Sequence, residues 1–408
     1  MNKKIMAAAL SAAVCFGVVR AAHGAGFAMY EGSARGNALG TEVTADPVNP
    51  SVMFNNAAAI TALPGFQAEV GLTAIRPRQS IVTESPLGEK KTRATSKWWT
   101  PPHAYATWQA MDRVWLGLGI FCRYGLGVDY PDDWPGRYEW TKATIESFDV
   151  NPNIAFKLTD QLSFAAGLRM ETFDASFERM IPTGTPFAGP DCKLKMEGDD
   201  VALGYNAAFY WTPQTNMSFG ISYQSRVEQH LRGDATCAGQ RTDVSSDLTT
   251  PAMLYMGTSL KPTDRLKVNF GLVYTMWNSF EDLAIRFDPP LLGKVHESSA
   301  EKNWKSTVRP QLGLEYKATD HLFLRGGYVY DQTPDPDAHA DYLVPGNNRH
   351  LFSLGFGLTF EKWFFDATYT YLFMQDRDVP GRPAEGVFDG EFTGGDAHMM
   401  SYSIGCRF

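Results

Sequence analysis

The chain ends on a stretch that alternates strictly. His398, Met400, Tyr402, Ile404, Cys406 and Phe408 occupy one phase, and Met399, Ser401, Ser403, Gly405 and Arg407 the other. Successive strand side chains point to opposite faces, so this stretch presents one mostly apolar stripe that closes on an aromatic residue. A lipid-facing closing stave of a transmembrane barrel has this pattern. The opposite end agrees. Lys3 and Lys4 precede an apolar run from Ile5 to Val19, and Ala22-His23-Gly24 supplies small residues before a cut near Ala25. That run is shorter than the roughly 20 residues a membrane helix needs, so residues 1–24 read as a secretory leader rather than an anchor.

A mean hydropathy of -0.25 with 37 Gly and 24 Pro excludes a helical membrane protein but suits alternating strands, whose hydrophobicity cancels in any average. Of 37 basic and 45 acidic residues, Lys3, Lys4 and Arg20 fall in the leader, which leaves a formal charge of -11 and argues against nucleic acid as a partner. No linker-like change of composition divides the remainder, so one large barrel over 65–408 with a small segment at 25–64 before it is expected.

Period-2 segments recur about fourteen times, the first from Phe66 and the last to Phe408, with connections that are alternately short and long. The short ones carry turn residues, as in Met111-Asp112, Thr159-Asp160 and Ala318-Thr319-Asp320. The long ones, such as Pro182 to Lys195, Gly233 to Asp247 and Pro334 to Gly346, read as loops. The expected fold is therefore all-β, a transmembrane antiparallel β-barrel of about 14 strands. An even number brings both termini to one side, the periplasm of a Gram-negative cell. Placing polar residues in the lumen turns Asp149, Asn151, Asn153, Lys157, Arg169, Glu171, Arg226, Lys267, Arg309, Glu315 and Asp366 inward, because Lys or Arg at the bilayer midplane costs roughly 2–4 kcal/mol.

Residues 25–64 do not fit a stave, since Gly26, Gly32, Gly36, Gly40, Pro47 and Pro50 interrupt each candidate strand. A lumen this wide needs filling, and a plug is the economical use of the segment. Ala25-Gly26-Phe27, Ser33 to Gly40 and Asn55-Asn56-Ala57-Ala58, followed by Tyr124-Gly125-Leu126-Gly127 and Leu324 to Tyr328, occur in an order and spacing that resembles the FadL-type outer-membrane transporters along the whole mature chain. The resemblance implies a hatch inside a fourteen-stranded barrel and passive import of hydrophobic molecules. These would collect in an apolar groove among outer loops, enter a lumenal pocket and leave sideways through a gap at a kinked third strand. It assigns the ligand head group to Arg179 and Lys294, with Phe27 near the pocket, and the kink to the region of Gly125 and Gly127, where glycine weakens strand pairing. The family usually has proline where this chain has Ala57, which permits a looser turn.

Such a path must stay apolar, since an acyl chain loses about 0.8 kcal/mol per CH₂ on returning to water. Trp134, Phe173, Phe177, Met180, Ile181, Phe187, Leu291 and Leu292 could line it or could pack the loops against one another. The ligand expected first is a long-chain fatty acid, with monoaromatic hydrocarbons as the alternative and a general porin or rim-active enzyme behind them. His296, Glu297 and Ser298 are sequence neighbours without a triad's arrangement. Cys192 and Cys237 fall in long loops of an oxidising compartment and could bridge, whereas Cys122 and Cys406 lie on lipid-facing phases. No metal or cofactor is implied. The remaining expected partners are outer-membrane lipid and lipopolysaccharide, around a monomer.

Overall fold

Backbone pairing joins Phe66–Ser85 to Asp389–Arg407, from Gln67 opposite Arg407 to Glu84 opposite Asp389, and so closes the sheet on itself. The protein is seen in a computed structural model that describes residues 26–408 apart from 185 and 188, so the expected leader lies outside the described residues. Fourteen antiparallel staves make the barrel. They are β1 Phe66–Ser85, β2 Pro102–Met111, β3 Val114–Phe121 continued by Gly125–Asp129, β4 Lys142–Lys157, β5 Leu162–Pro182 and β6 Asp191–Gln214. Next come β7 Met217–Gln224 with Val227–Cys237, β8 Gln240–Thr250 with Ala252–Leu260, β9 Leu266–Met276 with Asp282–Leu291, and β10 Val295–Glu301 with Thr307–Lys317. The last four are β11 Leu322–Asp331, β12 Arg349–Phe360, β13 Trp363–Met374 and β14 Asp389–Arg407.

The alternation read at the carboxyl end is seen directly: Met400, Tyr402 and Ile404 are exposed on β14 while Met399, Ser401 and Ser403 are buried. Two expectations need correction. Gly233 to Asp247 is not a loop but the tip of a hairpin, with Cys237 opposite Gln240 and pairing that continues to Val227 opposite Thr250. Beyond the apolar belt both faces of a strand can be polar, so the ladder persists where the hydrophobic period fades. Arg226 does not point inward. Gln224 and Ser225 are buried and burial resumes on the other parity at Val227, so the break between the two pieces of β7 turns Arg226 outward, where it meets Glu228 at 3.4 Å.

Inside the barrel the segment from Ser33 to Leu63 folds into a short helix, α1 Ala34–Ala38, and two tight turns at Pro50–Phe54 and Ala57–Ala62. Ser33 Oγ caps α1 by accepting from the Gly36 amide at 3.0 Å. At Asn56 the side chain donates to Thr44 O (2.9 Å) and Phe209 O (3.0 Å) and accepts from the Ala58 amide (2.9 Å), while Asn55 donates to Thr41 O (2.9 Å). These bonds fix the Asn55-Asn56-Ala57-Ala58 turn, where the loss of proline had suggested looseness.

The hatch seats on a row of lumen-facing glycines. A Cβ on Gly271 would fall 1.8 Å from Glu42 Oε2, and one on Gly327 would fall 2.1 Å from the Gly40 nitrogen. A buried ion network then locks it. Arg35 bonds Asp46 (2.5 Å) and Glu315 (3.1 Å), Lys267 bonds the same two acids (2.6 and 3.2 Å), and Arg325 joins Glu315 (2.7 Å) to Asp366 (2.5 Å), which also accepts from Asn49 (2.9 Å). Three cations and three acids are shared between hatch and wall, so each of these six buried charges has a partner.

Candidate functional site

The wall is interrupted at β3. Its pairing with β2 ends at Phe121 opposite His103, and Gly125–Asp129 pairs with β4 alone. The chain leading into β2 leans instead on β1, where Ile75 and Trp99 exchange backbone bonds of 2.7 and 2.9 Å, and it returns to β3 at Thr95 N to Asp129 O (2.7 Å). Sequence chemistry accounts for the gap: Pro101 and Pro102 have no amide to donate, and Gly127 leaves room for the Trp99 indole, whose Cζ2 lies 2.1 Å from where a Cβ would stand.

An amino-terminal arm, residues 26–31, covers the break from within. Met29 N donates to Arg123 O (2.7 Å) and Gly125 N to Phe27 O (2.9 Å), which adds a short strand to the kinked stave. The Phe27 ring sits among Tyr124, Phe173, Trp277, Phe280 and Trp304 at centroid distances of 4.8 to 6.4 Å. Beside the arm lies a cavity of about 560 Å³. Its lumenal end is formed by Tyr30, Arg349, Leu351 and Met399, and its other end by Trp98, Trp99 and Phe148. Phe148 is exposed on the outer face, so the cavity runs through the wall.

Residues 16–408 match the family described as outer membrane protein transport protein (OMPP1/FadL/TodX). The chain belongs to this family. It is similar to the long-chain fatty acid transport protein of Salmonella typhi, at 23% identity over 75% of this chain and 77% of that one. In fold it is similar to a FadL homologue of Pseudomonas aeruginosa (TM-score 0.84, 21% identity, 94% of this chain and 100% of that chain). It is likewise similar to the P. putida toluene transporter TodX (0.73, 15%, 94% and 99%). As a FadL-family member it is an outer-membrane transporter of hydrophobic compounds and not an enzyme.

Against this family frame the residues singled out in the sequence disperse. Phe27 borders the large cavity only through its neighbours Gly26 and Ala28, and itself closes a void of about 20 Å³ with Phe173, Phe177 and Phe280. Arg179 is half-buried at the long-loop end, donates to Ser298 Oγ at 3.2 Å and lies 5.9 Å from the Trp140 ring centre. Lys294 is exposed in the turn after Leu291. Neither cation lines the cavity. Gly125 and Gly127 do line it, at the break itself. Cys192 and Cys237 are bonded, with Cα atoms 6.2 Å apart, and tie the ends of β6 and β7 together.

The long loops pack as a lid over the strand ends, with Trp134 of the loop after β3, Phe173 and Phe177 of β5 and Leu291 of β9 buried rather than forming an open groove. Beneath them Lys302 is paired with Asp341, Glu139 accepts from the Tyr342 amide (3.1 Å), and Arg377 holds Asp335 (3.1 Å). Burial lifts the Glu139 carboxyl well above the usual range and the Asp335 carboxyl to about 7. Sequence reasoning missed Arg349, although its place on the lumenal phase with Leu351 and Ser353 could have been counted.

Proposed function

We propose that this transporter takes up long-chain fatty acids, which arrive at the long-loop end, enter the lumen and leave sideways through the gap beside β3. One observation carries the reading: the cavity reaches from lumen to outer face where the wall pairing fails, and Trp98, Trp99 and Phe148 stand at its outer end. Lateral exit spares the acyl chain the charged hatch network, where each re-exposed CH₂ would cost about 0.8 kcal/mol. The relatives named for long-chain fatty acid transport support the same substrate. Arg179, whose Nε has no hydrogen-bond partner among the described residues, serves as a cationic contact on the way in, with Lys294 at the outermost turn. The long loops face outward, both termini are periplasmic and the closed sheet works as a monomer. Its exposed apolar belt, including Leu203 and Leu354, meets membrane lipid and the acyl chains of lipopolysaccharide.

A second reading, uptake of monoaromatic hydrocarbons, is favoured by the five rings around Phe27, on which a flat ligand that displaces Phe27 can stack. Binding of a fluorescent long-chain fatty acid to the purified protein in detergent, with oleate and toluene as competitors, separates the two. Displacement by oleate is expected, and displacement by toluene alone would overturn the fatty-acid reading in favour of the hydrocarbon.

A further inference from the structure

Arg349 is the lumen-facing cation of the through-wall cavity and is poorly satisfied there. Its Nε is buried with no hydrogen-bond partner among the described residues, and one Nη reaches the Gly26 carbonyl at 3.5 Å, the limit of a hydrogen bond. Asp331 lies opposite it in the ladder but forms its ion pair with Arg309, at 3.5 Å. The other cavity cation, Arg78, is bound to Asp396 at 2.8 Å and is half exposed. Among the cavity acids, Glu31 is turned back to accept from the Tyr30 amide at 2.9 Å, and Glu146 lies at the exposed end.

A guanidinium with open donors in a largely apolar cavity is costly until an acceptor meets it, and its planar fork fits a carboxylate. Trp98, Trp99 and Phe148 at the far end suit a hydrocarbon tail. We propose that Arg349 receives the carboxylate of an amphipathic acid in this cavity, with the tail directed into the wall gap, and that the choice of acid over neutral ligand is made there. The proposal rests on the fatty-acid reading above.

The test is displacement of a fluorescent fatty acid by oleate and by oleyl alcohol, at pH 8, on wild type, Arg349→Gln and Arg349→Lys, each checked for heat-modifiable barrel migration. A hydrogen bond to a charged group is worth about 1.5–3 kcal/mol, so wild type is expected to prefer oleate by roughly ten- to a hundredfold. Arg349→Gln is expected to lose that preference with alcohol affinity unchanged, and Arg349→Lys to retain part of it. An undiminished preference in Arg349→Gln overturns the site. Failure of both competitors on wild type overturns the fatty-acid reading itself.

Discussion

The hatch body, residues 33–63, and the arm before it, residues 26–31, are consecutive parts of one segment held by different chemistry. The body is fixed by paired buried charges shared with β9, β10, β11 and β13, whereas the arm is fixed by short backbone pairing and by aromatic contacts around Phe27. An apolar ligand can replace aromatic contacts like for like, but it offers nothing to Arg35 or Glu315. On the route proposed above, the arm is therefore the part a hydrophobic cargo would displace, beside the gap in the wall pairing, while the body stays in place.

Breaking the lock should have the largest effect. Arg35→Ala leaves Asp46 with Lys267 alone and Glu315 with Lys267 and Arg325, and loss of one partner from a buried pair costs up to about 3–5 kcal/mol. The heat-modifiable transition of the purified barrel should fall accordingly. An unchanged transition would mean that the glycine seat, not the ion network, holds the body.

Phe27→Ala should cost a comparable amount locally, about 3–5 kcal/mol for a core phenylalanine, but the loss is confined to the arm. Hydrogen exchange at the Met29 and Gly125 amides should quicken by roughly a hundred- to a few thousandfold, with the global transition little moved. Coincident loss of both would show that arm and body unfold as one unit. A milder change follows at the gap. Gly127→Val drives a side chain into Trp99, with an overpacking cost of about 1–3 kcal/mol. It should narrow the exit, slowing fatty-acid uptake by cells while equilibrium binding to the pure protein persists.

The staves were legible because lipid on one side and water on the other impose a period of two, as on β14. That signal is lost where both surroundings are polar, which is why the hairpin around Cys237 and Gln240 read as a loop. It also misleads where a break shifts the phase, as at Arg226. The glycines of the β3 break stood out in the sequence as weak points in pairing; in the structure they make room for Met29 and Trp99. The hatch lock did not, because Arg35, Asp46, Glu315 and Asp366 are brought together only by barrel closure. Arg349 was hidden for the same reason: its chemistry depends on which neighbours leave it unpaired.

The lid allows a final, smaller test, since its charges are loop-borne and can respond to pH without disturbing the wall. Asp335 in the folded protein holds its proton up to about 7, whereas an unfolded aspartate releases it near pH 4. Between those values the folded state binds more protons, so lid docking should weaken as pH rises from about 4 to about 7 and then level off. Glu139, raised by the same burial, adds to the slope with the same sign. Fluorescence of Trp134 and Trp140 in detergent should report the loosening, and Asp335→Asn should flatten it. A lid that tightens over this range would mean that the Arg377 pairing outweighs burial, which would place the lid with the hatch body, held by charge, rather than with the arm.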